Sequence, residues 1–130
     1  MKNESKFYHE IKKNIDQISW LRLENSVALG TPDLLGYNIN HTFFTVELKV
    51  SKGNKISFSP HQIAFHFKHS KNTFILVKGQ DPRSPKLFEG SMIHELATSG
   101  CRTKSIAEGY EDIKKVFNLP SASGLTLASL

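Results

Sequence analysis

The sequence predicts an α/β domain of αβββαβ type, with a mixed sheet whose first three strands form a meander and with helices packed against it. Three observations carry that prediction. Apolar residues recur at helical spacing over residues 4–18, two period-two stretches flank a short polar turn, and a serine–proline helix start precedes the apolar run TFILVK. At 130 residues, 38% hydrophobic and with nine Phe, the chain has the size and composition of one folded domain around a single core.

Over residues 4–18, Phe7, Ile11, Ile15 and Ile18 are spaced by four and three, which places them on one helix face with Glu10 on its flank. Residues 19–29 change to a period near two and read as a strand in which Trp20, Arg22 and Glu24 alternate with Leu21 and Leu23. Pro32 has no N–H to give a ladder, so it can open a strand but not sit inside a central one, and the second strand begins at Asp33 and runs through Tyr37. Asn38 to His41 form the turn. The third strand, Thr42 to Val50, sends Phe44, Val46, Leu48 and Val50 to a core face and Phe43, Thr45, Glu47 and Lys49 to the other.

After a polar loop at 51–58, Ser59 supplies an N-cap hydroxyl and Pro60 the first-turn proline of a helix at 60–69, whose buried side reads as Ile63, Ala64 and Phe67. Residues 73–78 are a buried central strand. Beyond them a loop at 81–85, an edge strand at 86–89, a short helix at 92–98 and a helix at 105–118 make a C-terminal helical extension. The arrangement is one domain, with a core at about 4–80, the extension at 81–118 and a tail at 119–130 that carries no charge.

Seventeen Lys and Arg against twelve Asp and Glu leave a net charge of +5, which favours a polyanionic partner. All of it lies between Glu47 and Lys78, where Lys49, Lys52, Lys55, Lys68, Lys71 and Lys78 face one acid, Glu47 itself. The lone Cys101 excludes an intramolecular disulfide and suits a reducing cytoplasm. No apolar run suits a signal peptide or a membrane span. His41, His61, His66, His69 and His94 follow no zinc-site spacing, and His66 and His69 read as groups on the surface of their helix.

A three-residue loop at Ile39 to His41 pairs strand residues whose numbers sum to 80, which sets Asp33 opposite Glu47. Directly paired side chains have Cβ atoms about 4.5–5.5 Å apart, and two carboxylates that close repel unless a proton or cation lies between them. Oxygen ligands in that arrangement suit Mg²⁺. Lys49 faces the same way as Glu47 and can reach a water or a phosphate oxygen.

On these residues the chain resembles a known group. GTPDLLGY followed by TVELKV is similar to the Pro-Asp … Glu-x-Lys signature of the PD-(D/E)xK nuclease superfamily. The continuation KISFSPHQIAFHF resembles the Ser-Pro-x-Gln helix start of its virus-type replication-repair nuclease branch, small enzymes commonly carried by bacteriophages and related in fold to Holliday-junction resolvases. The resemblance covers about residues 10–78. It implies a restriction-endonuclease-like core, Asp33 and Glu47 as metal ligands with the Leu48 carbonyl, Lys49 to orient the attacking water, and Gln62 in support. It also implies a glutamate from the first helix, Glu10 or alternatively Glu4, and a phosphate contact from Arg22, with Glu24 either a third carboxylate or the ion-pair partner of Arg22.

The function implied is Mg²⁺-dependent hydrolysis of DNA phosphodiesters, with Mn²⁺ able to substitute, on branched DNA, in the cytoplasm. Lys52, Lys55, Lys68 and Lys71 would hold the flanking backbone. A homodimer is expected, because cutting two strands of a junction takes two sites, joined through the tail or the C-terminal helix. No membrane and no small-molecule cofactor is expected. The alternatives are a non-catalytic basic nucleic-acid-binding protein on the same fold and an RNA-cleaving nuclease.

Overall fold

A computed structural model describes residues 3–23, 29–79 and 84–120. The elements run α1 (Asn3–Asn14), β1 (Ser19–Arg22), β2 (Leu34–Tyr37), β3 (Phe43–Val50), α2 (Pro60–Lys68), β4 (Thr73–Lys78), β5 (Lys86–Glu89), a 3₁₀ turn at Gly90–Met92, α3 (Ile93–Ser99), a 3₁₀ turn at Gly100–Arg102, β6 (Ala107–Glu108) and α4 (Tyr110–Phe117). Six strands form one sheet in the order β1-β2-β3-β4-β5-β6. Every neighbouring pair is antiparallel except β3 and β4, which run parallel because α2 carries the chain back along the sheet between them. The sheet is therefore mixed and opens as a meander. Among the described residues, no helix is long and apolar enough to cross a membrane.

Alternation along the strands sorts the core into two layers. Phe44, Val46 and Leu48 of β3, Phe74 and Leu76 of β4 and Leu87 of β5 pack on one face against Phe7 and Ile11 of α1 and Ile113 and Phe117 of α4. Ile75, Val77 and Phe88 point the other way, against Ile56, Ile63, Ile93 and Leu96. Burial on both faces makes β4 the continuous apolar run seen in the sequence. The aromatic centre of the first layer stacks Phe44 on Phe117 at 4.8 Å and sets Trp20 and Phe74 edge-on to both rings.

Several boundaries differ from the sequence reading. α1 ends at Asn14, whose side-chain amide donates to the Glu10 carbonyl, but Ile15 and Ile18 still reach the core. β1 ends at Arg22; Leu23 and Leu29 of the expected strand lie outside the ladder, and residues 24–28, Glu24 included, lie outside the described residues, as does most of the tail. The first part of the expected 105–118 helix is instead the edge strand β6, which pairs with β5 before Gly109, at φ 83°, turns the chain into α4. β5 is thus an interior strand rather than an edge.

The inward side of α2 is also one position out. Ala64 is exposed and Phe67 is 77% exposed, whereas His66 is fully buried and Ile63 half-buried. The side turned to the sheet carries Gln62, half-buried like Ile63, and buried His66 one turn on, so a polar pair sits beside the apolar contact that Ile63 makes. The expectation that His66 lies on the surface is corrected by the same fact. Of the two, His69 is the exposed one, stacked on Phe65.

Candidate active site

The β2–β3 register fixes the site. Leu34 pairs with Val46, Leu35 with Thr45, Gly36 with Phe44 and Tyr37 with Phe43, so the paired numbers sum to 80. The ladder closes on a three-residue loop: the Asn38 amide donates to the Thr42 carbonyl, and His41, at φ 60°, reverses the chain. The Asn38 side-chain oxygen accepts from the amides of Asn40 and Thr42. One residue beyond the ladder, Asp33 stands opposite Glu47. Its carbonyl accepts from the Leu23 amide, and its Oδ2 accepts from the Leu48 amide at 2.8 Å, so both neighbouring strands fix the carboxylate.

Glu47 is 2% exposed, on the face of β3 that α2 covers. Gln62 reaches it from the first turn of α2: Nε2 donates to Glu47 Oε2 at 3.2 Å, while Oε1 accepts from Lys49 Nζ at 2.9 Å and from the Ser59 amide at 2.9 Å. The Ser59 hydroxyl in turn accepts from the Gln62 amide, which completes a capping box. One carboxamide thus closes the helix cap and joins Glu47 to Lys49. The Lys49 ammonium also lies 5.0 Å above the Phe58 ring.

Gly30 seats the loop that carries Asp33. At φ 84° it takes a backbone conformation that a side chain strains, and a Cβ there would stand 2.3 Å from the His61 carbonyl oxygen. The Pro-Asp loop and the start of α2 therefore touch backbone to backbone, which brings Asp33 and Gln62 to the same end of the sheet.

Burial pushes the Glu47 carboxyl well above the usual carboxylate range, and the adjacent Asp33 adds to the shift while the Lys49 ammonium partly offsets it. Glu4, in the first turn of α1, raises it further, which puts that residue's charge within reach of the pair. Glu10 is held elsewhere: it forms an ion pair with Lys78 and accepts from the Tyr110 hydroxyl at 2.8 Å.

Glu47 Oε1 is buried with no hydrogen-bond partner. An orphaned carboxyl oxygen beside a second carboxylate is a position a small hard cation would fill, and Mg²⁺ takes one or two carboxylates, a carbonyl and waters. The residues therefore fit such an ion. Among the described residues no three His, Cys, Asp or Glu side chains converge on one position, so the site offers a pair of carboxylates and not a trio.

The cations sit at both ends of this face. Lys52 and Lys55 follow β3 in a small hairpin closed by bonds between their own backbones, while Lys68 ends α2 and Lys71 precedes β4, beside the start of β3. All four are exposed. Arg22 donates to the Ser5 hydroxyl at 3.2 Å and lies over the Tyr8 ring. One buried residue went unread in the sequence: His66, with both ring nitrogens lacking partners and Nδ1 packed against Gly90. Its only signal was the four-residue step from Gln62.

No family model matches the sequence, and no curated protein is significantly similar to it. Among solved structures, the fold is similar to that of Hjc, a Holliday junction resolvase from the archaeal hyperthermophile Archaeoglobus fulgidus. The TM-score is 0.52 at 12% identity, covering 70% of this chain and 75% of that one. With a six-stranded mixed sheet and four α-helices among its described residues, the chain has a restriction-endonuclease-like α/β fold.

Proposed function

We propose that the protein is a metal-dependent deoxyribonuclease that hydrolyses phosphodiester bonds of branched DNA, on the pattern of the virus-type replication-repair nucleases. The observation that carries this reading is the Asp33–Glu47 pair with its orphaned oxygen, joined through Gln62 to Lys49. The likeness in fold to a protein described as a Holliday junction resolvase supports the substrate class.

Asp33 and Glu47 would hold Mg²⁺, or Mn²⁺ in its place, with the Leu48 carbonyl as a backbone ligand, and Glu4 of α1 would add negative charge nearby. When bound, the ion supplies Lewis-acid polarisation of the phosphate and a lowered pKa for water. The chain does the rest. Lys49, held by Gln62 and Phe58, orients the attacking water and offsets negative charge that develops on the phosphate oxygens. Gln62 keeps the ammonium and the Glu47 carboxyl at fixed separation. Lys52, Lys55, Lys68 and Lys71 grip the backbone on either side of the scissile bond, and Arg22 adds a phosphate contact. Such contacts are sequence-neutral and salt-sensitive.

The test incubates the protein with a four-way DNA junction, linear duplex, single-stranded DNA and RNA in Mg²⁺. The junction is expected to be nicked fastest. Asp33→Ala, Glu47→Gln and Lys49→Ala should each lower the rate about 10²-fold or more. Nicking left unchanged by these substitutions would overturn the site, and binding without cleavage in either Mg²⁺ or Mn²⁺ would make the protein a non-catalytic binder.

A further inference from the structure

The basic hairpin Lys52–Lys55 does not stand alone in solvent. The Asn54 carbonyl accepts from the Cys101 amide at 2.8 Å, and Cys101 Sγ lies 3.9 Å from the Gly53 carbonyl. The fit is closest at Gly100. It is buried at φ 56°, and a Cβ there would lie 1.8 Å from the Asn54 oxygen, inside any tolerable contact. No side chain can be added without pushing the hairpin away, because the obstructing atom belongs to backbone rather than to a flexible side-chain end. The same turn then presents Arg102, exposed, in an open groove of about 510 Å³ lined also by Lys55, Ile56 and Glu95.

We propose that the Gly100–Arg102 turn is the seat of the basic hairpin: it fixes Lys52 and Lys55 against the nucleic-acid backbone and adds Arg102 as a further phosphate contact. The inference rests on the reading of Lys52 and Lys55 as phosphate contacts, and it gives a binding task to the part of the chain that the nuclease signature does not cover. Gly100 is then a positioning residue. It touches no nucleic acid and acts through Asn54.

The experiment measures binding of a fluorescein-labelled four-way DNA junction across a salt series, without divalent cation, so that cleavage does not intervene. Lys52→Ala/Lys55→Ala should reduce the slope of log K against log salt by about two, and Arg102→Ala by about one. Gly100→Ala should reproduce the loss seen in the lysine double variant, and combining the two should add little further loss. Gly109→Ala is the control: it shares a positive φ, 83°, but a Cβ there meets nothing within 4 Å, so folding strain without hairpin displacement should leave the slope unchanged.

If the lysine variant leaves the slope intact, the hairpin is not a phosphate contact and both readings of it fall. If the lysines matter but Gly100→Ala binds as wild type, the seat alone is overturned, and an unchanged slope in Arg102→Ala removes that contact. Should Gly100→Ala fail to fold, the sole cysteine of the wild-type chain reports instead. Junction DNA at low salt should slow the reaction of Cys101 with methyl methanethiosulfonate several-fold, and an unaltered rate would refute the seat.

Discussion

At the scale of single residues, Glu47 concentrates the conflict from which the site is made. Between the ordinary carboxylate range and its raised value, the folded chain keeps a proton that the unfolded chain has released, so stability falls as pH rises through that window. Glu47→Gln should therefore stabilise the metal-free protein at neutral pH by roughly 1–3 kcal/mol and cost the Mg²⁺-induced rise in melting temperature. Calorimetry with and without Mg²⁺ checks both, and a variant less stable than wild type at pH 7 would show that no such strain exists. His66 has the opposite sign. Burial lowers it to about 4, so it stays neutral when folded but charges at about 6.5 when unfolded. Stability should drop as pH falls from about 6.5 toward 4, by up to about 3 kcal/mol, and His66→Leu should flatten that slope in urea titrations.

These two residues also mark the limit of what the sequence discloses. Glu47 is legible because strand alternation and the turn length together place it opposite Asp33. His66 is not, because the helix that buries it turns a polar pair inward beside Ile63, and Glu4 was reached only as the alternative to Glu10 because it acts across space from a different element.

At the scale of elements, α2 serves as both scaffold and site. Ser59→Ala removes the hydroxyl of the capping box and should cost about 1 kcal/mol of stability. Gln62→Glu separates the two roles of the carboxamide. A glutamate at this position still completes a capping box, so the helix should hold, but a third carboxylate against Glu47 should suppress nicking in Mg²⁺. Equal loss of helicity and activity in this variant, by circular dichroism and nicking assay, would mean that the residue only caps. The boundaries of α2 were readable from Ser59 and Pro60; its rotation was not, because a helix that points glutamine and histidine inward defeats an apolar count. β6 was hidden for a related reason. Two residues are too few to show a period, and Ile106, Tyr110 and Ile113 straddle strand, glycine turn and helix at spacings that mimic one continuous helix.

At the scale of the molecule, among the described residues α1 and α4 pack on the Phe44 face of the sheet, while α2 and α3 pack on the other face away from its β1–β2 edge. Leu21 is 58% and Phe43 59% exposed there, beside Leu35 and the Tyr37 ring. Ile113 and Phe117 of α4 are taken up by the core, so the homodimer expected for two-strand cutting should use this exposed apolar patch in place of α4. Light scattering should give a dimer mass at micromolar concentration and Phe43→Lys a monomer that nicks one strand; a monomeric wild type that still cuts both strands would refute the pairing.

The stack of Phe44 on Phe117 has a consequence for the order in which the protein becomes active. All of the proposed catalytic residues lie at or before Gln62, yet the core beneath β3 is not closed until Phe117 of α4, which follows β4, β5, α3 and β6, has arrived. A ribosome-bound fragment can display the whole nuclease signature and still lack the layer that holds β3 in place. Any cutting activity should therefore emerge only after Phe117 has been made and has packed on Phe44, well after the signature residues themselves.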